Sequence, residues 1–186
     1  MAQDRKGQIL AAAYEIVGED GLEGLHARSV AAKVGINHAA VHYYFATRND
    51  LLLALAEYTI ARFNADRDKL MSNAADPAAR IEAHLAQAEA YCKTKSRFVK
   101  NWASLFVAAI ADERLRKVLA EHMLDWAKSV MSDIDSGGTQ IKKTSPFVNP
   151  ELLVGSLLGL LLLCHTMGPK FDPADQLDLI AGSLLA

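Results

Sequence analysis

The chain has 186 residues, 51% of them hydrophobic, and a formal net charge of −2. That length allows one sizeable core or a small domain joined to a larger one, and the charge excludes a uniformly basic nucleic-acid binder. Ala and Leu dominate, strand signals are scarce, and Pro stands only where helices start or stop, so the composition predicts an all-α fold.

The first helix is expected from near Asp4 to Val17, with Ile9, Ala13, Ile16 and Val17 forming one apolar stripe. Gly18 and Gly21 are expected to stop it, because glycine takes the left-handed conformation of helix ends. Leu22 and Leu25 then read as apolar plugs. Arg5 and Lys6 stand at the helix start, where positive charge opposes the helix dipole; a phosphate partner and a plain solvated terminus both explain them. A second helix, Ala27 to Val34, ends at Gly35, and Ile36 anchors a tight turn. Asn37 can cap a third helix, His38 to Phe45, whose Val41 and Phe45 share a buried face with Tyr44 at its edge. Thr47-x-x-Asp50 resembles a capping box and opens a fourth helix that runs to about Met71.

Two short helices across a tight turn make a helix-turn-helix, whose second helix enters the DNA major groove. Base contacts are therefore assigned to His38, Ala39, Ala40 and Tyr43. The two alanines permit close approach, and their methyls can pack on a thymine methyl. Phosphate contacts are assigned to Lys6, Arg28, Ser29, Asn37, His42, Tyr44 and Arg48. No Asp or Glu occurs from Gly24 to Asn49, whereas Arg28, Lys33, Arg48, His26, His38 and His42 do. Such a window is either a DNA-facing surface on an acidic molecule or a local fluctuation in charge.

The wording Gly35-Ile36-Asn37, then Val41-His42-Tyr43-Tyr44-Phe45, then Thr47-Arg48-Asn49-Asp50-Leu51-Leu52 resembles the TetR family of bacterial transcriptional regulators. The resemblance runs from about Arg5 to Leu55. Two departures stand out: His26-Ala27 occupies a region where the family often has Thr or Ser, and His42 a position commonly Tyr or Phe. The resemblance implies a homodimeric, ligand-responsive regulator, most simply a repressor of a palindromic operator in double-stranded DNA, with half-sites about 34–36 Å apart. It also implies that the fourth helix acts as a lever and that the last two helices pair with those of a second subunit. The expected interface is Leu152, Gly155, Ser156, Gly159, Leu163, Leu177, Ile180 and Leu184.

Residues 1–48 thus form the expected DNA-binding head, and 49–186 a larger helical effector-binding and dimerisation domain. Asp76-Pro77 starts a helix that runs to about Lys93. Others are expected from Ser96 to Ala111 and from Asp112 to just before Ser136-Gly137-Gly138. The polar stretch 137–148 is the expected mobile loop. Asn149-Pro150-Glu151 starts a helix that is apolar nearly all round and so must be covered on several sides. Asp172-Pro173 starts the last one.

No nucleophile motif, glycine-rich phosphate loop or metal-ligand spacing occurs, so no enzyme, cofactor or metal is expected. Cys92 and Cys164 are far apart in sequence and read as buried free thiols. The longest apolar run, Leu152 to Cys164, is shorter than the ~20 residues of a membrane span, and no signal peptide opens the chain, so a cytoplasmic protein is expected. Tyr91, Trp102, Phe106, Met123, Trp126 and His165 are the candidate lining of a pocket for a small, mostly apolar effector; the same residues also read as ordinary core. The alternative is a helical small-molecule-binding protein or enzyme that retains a DNA-binding head.

Overall fold

Capping chemistry and glycine positions divide the chain into helices much as expected. The structure, a computed structural model, describes residues 2–94 and 96–186. Its helices are α1 Ala2–Asp20, α2 Ala27–Val34, α3 His38–Tyr44, α4 Arg48–Met71, α5 Pro77–Thr94, α6 Ser96–Ala109, α7 Glu113–Ser136, α8 Pro150–Met167 and α9 Ala174–Leu184. Among the described residues the one β feature is an isolated antiparallel bridge, Ile141 to Leu185.

Packing separates the chain into two units: Met1–Arg62 with Arg97–Ala120, and Phe63–Ser96 with Glu121–Ala186. The helix α4 begins in the first unit and ends in the second, and so does α7. Placing α6 with the amino-terminal helices is a grouping that reading along the chain does not reveal.

In the first unit, Ile9, Ala13, Ile16 and Val17 of α1 are buried with Leu25, Val30, Val41, Leu51 and Leu55. The expected stop at Gly18 is corrected: α1 continues to Asp20, and Gly21 ends it at φ 71°. Gly18 instead serves close approach, since a Cβ there would lie 2.0 Å from Arg97 Cγ of α6. The buried Asn101 of α6 donates to the Tyr14 carbonyl at 2.9 Å, locking α6 to α1.

In the second unit, α5 packs along α8, and Ile81, Leu85, Leu153, Leu157, Leu177, Ile180 and Leu184 are buried. A polar network lies inside it. Trp126 donates to His84 Nδ1 at 3.1 Å, Arg80 pairs with the buried Asp133, and Gln87 donates to the Phe63 carbonyl. Residues 137–148, expected to be mobile, are pinned: Ile141 and Ser145 are buried, Lys142 N–H donates to the Leu184 carbonyl at 2.8 Å, and Lys143 Nζ donates to the Ile134 carbonyl. Polar composition concealed this because most of the partners lie on the last helix.

The helix α8 is 18 residues long with a mean hydropathy of 1.6, long and apolar enough by itself to cross a membrane. Within its unit it buries Leu153, Val154, Leu157, Leu160, Leu161 and Cys164. Its other side leaves Leu152, Leu162, Leu163 and Met167 about half exposed.

Candidate nucleic-acid interface and effector region

The head is built from local signals. Gly35 ends α2 in the left-handed conformation, φ 75° and ψ 38°, and the chain turns back with Ile36 N–H donating to the Ala31 carbonyl at 2.9 Å. The Asn37 side chain then accepts from Ala39 N–H at 2.9 Å, starting α3. Val41 and Phe45 are buried beneath α3. What remains outward is His38, Ala39, His42 and Tyr43, with Ala40 and Tyr44 half-buried. Tyr43 is 84% exposed, an unusual state for a large aromatic with no partner surface, and its ring meets Tyr44 edge-on at 5.2 Å.

A cleft of about 360 Å³ opens beside α3, lined by His26, Ala27, Arg28, His38, Val41, His42, Phe45, Thr47, Arg48 and Leu51. Two arginines and three histidines line it and no carboxylate does. That composition suits an anion such as a backbone phosphate. His26 and Thr47 were missing from the sequence assignment. The acid-free window contained them, but only the fold shows that they share a wall with His38.

Several assigned phosphate ligands already have internal partners. The Ser29 hydroxyl accepts from His26 N–H and donates to the Gly24 carbonyl at 2.6 Å. Arg48 reaches back from the start of α4, with Nε donating to the Leu25 carbonyl at 3.1 Å and Nη2 to the Leu22 carbonyl at 2.6 Å. Lys6 lies 5.9 Å from the centre of the Phe45 ring, beside the end of α3. Lys33 pairs with Glu15 and Glu19, which hold its ammonium pKa above the ordinary value. Thr47 and Asp50 form a reciprocal capping box, and Arg114 of α7 binds the other carboxylate oxygen at 2.9 Å, holding Asp50 below its ordinary pKa.

The candidate pocket residues fall into two groups. Trp102 and Phe106 belong to the first unit, where the Trp102 ring stacks on Phe98 and meets Phe106 edge-on, both with centroids 5.4 Å apart. Tyr91 and Trp126 belong to the second and both touch the buried Phe63, at 5.8 and 5.0 Å; His122 meets the same ring at 5.4 Å. Met123 is half-buried and His165 is exposed on α8. Of the expected interface residues, Leu152, Gly155, Ser156, Gly159 and Leu163 are open to varying degrees, while Leu177, Ile180 and Leu184 are buried inside their own unit. The open face of α9 is that of Leu179, 71% exposed. It shares a shallow apolar groove of about 370 Å³ with Ser156, Gly159 and Leu163.

Residues 9–55 match the family model described as bacterial regulatory proteins, tetR family. The chain is 24% identical over 115 residues to the HTH-type transcriptional regulator BetI of Rhizobium meliloti (strain 1021), a match over 62% of this chain and 57% of that relative. With BetI of Brucella anthropi the identity is 23% over 115 residues, covering 62% and 59%. The match thus spans a little over half the length of these curated relatives. Among solved structures, a TetR-family transcriptional regulator from Agrobacterium tumefaciens superposes with a TM-score of 0.86 at 17% identity, both chains fully covered. A putative transcriptional regulator from Saccharomonospora viridis in complex with choline gives 0.83 at 15% identity, again over both whole chains. At these identities the superpositions show the fold, an amino-terminal helix-turn-helix followed by a helical domain. The family model thus identifies residues 9–55 as a tetR-family helix-turn-helix head, and the superpositions give the whole chain the fold of such regulators.

Proposed function

We propose that this chain is a ligand-responsive transcriptional regulator that binds a palindromic operator in double-stranded DNA as a homodimer and acts as a repressor. The observation that carries this is the outward face of α3: a largely exposed Tyr43 beside His38, Ala39 and His42, next to a cleft with arginines and no carboxylate. A single head has few uncommitted cations, so affinity requires two heads acting together. The second copy is proposed to cover the open apolar face of α8 and α9, at Leu152, Gly155, Ser156, Gly159, Leu163 and Leu179. Covering that face also explains how so apolar a helix belongs to a cytoplasmic protein rather than to a membrane.

The effector is proposed to bind in the second unit, about Phe63, Tyr91, Met123 and Trp126, as a small, mostly apolar molecule. Ligand binding shifts the head-spacing equilibrium only by as much as its affinity differs between the DNA-competent and DNA-incompetent states. The aromatic rings around Phe63 also suit a small quaternary ammonium, which aromatic faces attract; choline in the Saccharomonospora viridis neighbour points the same way.

The primary test is a mobility-shift titration on the gene's own upstream DNA at several salt concentrations. Binding tighter than to random DNA of equal length supports the proposal, and equal binding overturns it. For the effector, calorimetric titration with choline and with its uncharged carbon isostere separates the two ligand chemistries: tighter choline binding selects the cation, tighter isostere binding the apolar effector.

A further inference from the structure

The two cysteines, 72 positions apart in the chain, meet in the fold. Cys92 sits near the end of α5 and Cys164 near the end of α8, and both are free thiols. Their sulfurs are 2.6 Å apart, with the Cys164 thiol donating to Cys92 and the Cys92 thiol directed at the Leu160 carbonyl at 3.9 Å. Cys164 is buried and Cys92 is half-buried. Both line an open cleft of about 400 Å³ with Lys93, Phe171, Asp172 and Pro173, so a small oxidant can reach them from solvent.

We propose that Cys92 and Cys164 are a redox couple that a peroxide-class oxidant closes to an intramolecular disulfide, tying α5 to α8. A disulfide holds its sulfurs about 2.05 Å apart, so closure needs a shift of about half an ångström. A chelated metal fits less well. Tetrahedral coordination at about 2.3 Å would spread the sulfurs to about 3.8 Å, and among the described residues no group of three or more His, Cys, Asp or Glu side chains is placed to hold a metal.

The chemistry balances. The half-exposed Cys92 sulfur, as thiolate, attacks a peroxide oxygen; the O–O bond breaks, leaving a sulfenic acid on Cys92 and a hydroxide. The Cys164 sulfur then attacks the Cys92 sulfur, the S–S bond forms, the S–O bond breaks and a second hydroxide leaves. The two thiol protons convert both hydroxides to water, so two electrons pass from the sulfurs to the peroxide. A dithiol reductant reverses the closure. Burial, and then the neighbouring thiol, push the Cys92 pKa up. Because the thiolate is the attacking form, rising pH favours the first step.

The test uses the full chain, reduced and then treated with hydrogen peroxide. The expected result is an intact mass lower by about 2 Da, the two thiol hydrogens, with the free-thiol count falling from two to zero. A non-reducing peptide map should join Cys92 to Cys164, dithiothreitol should restore both thiols, and the rate should be independent of protein concentration. Cys92→Ser and Cys164→Ser should give oxygen adducts, about 16 or 32 Da heavier, in place of the mass loss. Persistence of both thiols, oxygen adducts on the unsubstituted chain without the link, or linkage only between chains overturns the proposal.

Discussion

Arg48 has a structural role in the fold and a proposed one in phosphate binding. Its guanidinium already donates to the Leu22 and Leu25 carbonyls, so Arg48→Ala is expected to cost about 1–2 kcal/mol of stability, discounted for its exposure. If it also holds a phosphate, the same variant lowers the slope of log affinity against log salt by about one; an unchanged slope with reduced stability assigns it to structure alone. Tyr43 is the opposite case. It supports little of the core, so Tyr43→Ala should shift stability by less than about 0.5 kcal/mol while weakening specific DNA binding by about 1–3 kcal/mol. An unchanged ratio of specific to random binding would remove it from the interface. The glycines of α1 make a paired prediction. Gly7 has nothing within 4 Å of an added Cβ, so Gly7→Ala should stabilise by about 0.5–1 kcal/mol through helix propensity. At Gly18 the added methyl would collide with the near end of Arg97, and overpacking of about 1–3 kcal/mol should outweigh that gain. Thermal unfolding of both variants should show shifts of opposite sign.

At the scale of elements, α8 was legible as a helix that must be covered on several sides, because it is apolar all round. Which side the chain itself covers was not legible. In α9 the sequence offers two apolar faces one residue apart, and the fold buries Leu177, Ile180 and Leu184 while exposing Leu179. The dimer proposal is therefore tested with Leu163→Asp combined with Leu179→Asp. Both side chains are substantially exposed, so the variant should keep its helical circular dichroism but run as a monomer in light scattering, and should lose most of its operator affinity. A dimer surviving the double substitution would place the interface elsewhere. The helix-turn-helix itself was almost wholly legible, since Gly35, Asn37 and the Thr47–Asp50 box act within four residues of themselves. Its cleft was not, because Arg48 reaches it from the start of α4 and His26 from the cap of α2.

For the whole molecule, buried histidines set an acid limit. Burial, with the nearby Arg67 charge adding to it, holds His122 down at about 4 against an ordinary value of 6.5. The unfolded chain takes up that proton near 6.5 and the folded chain only near 4. The stability associated with His122 is thus fully present above pH 6.5 and declines as pH falls towards 4, by an amount on the order of 2 kcal/mol. His84 is lowered by burial as well, despite the opposing pull of Asp133, and adds in the same direction. Burial would raise Asp133, but the contacts from His84 and Arg80 outweigh it and leave its pKa below the ordinary 3.8, so its own contribution is lost only at still lower pH. Denaturant unfolding between pH 7 and 4.5 should show the decline, and His122→Phe should flatten it. An equal slope in that variant would assign the acid sensitivity to other groups.

The sequence by itself determined what depends on neighbours within a turn or two: most of the helix starts and stops, the helix-turn-helix, and the all-α class. Capping, left-handed glycines and helical periodicity are short-range effects, and each leaves its mark on adjacent residues. Only the tertiary structure decided what depends on partners far along the chain. Gly18 proved to be a contact site for Arg97 rather than a helix end. Residues 137–148 are held by the carboxy-terminal helix, Leu179 rather than Ile180 faces outward, and Cys92 meets Cys164. For Gly18, Lys142 and Cys92 the deciding partner lies 40 or more positions away, and no local propensity records the packing of α1 on α6 or of α5 on α8.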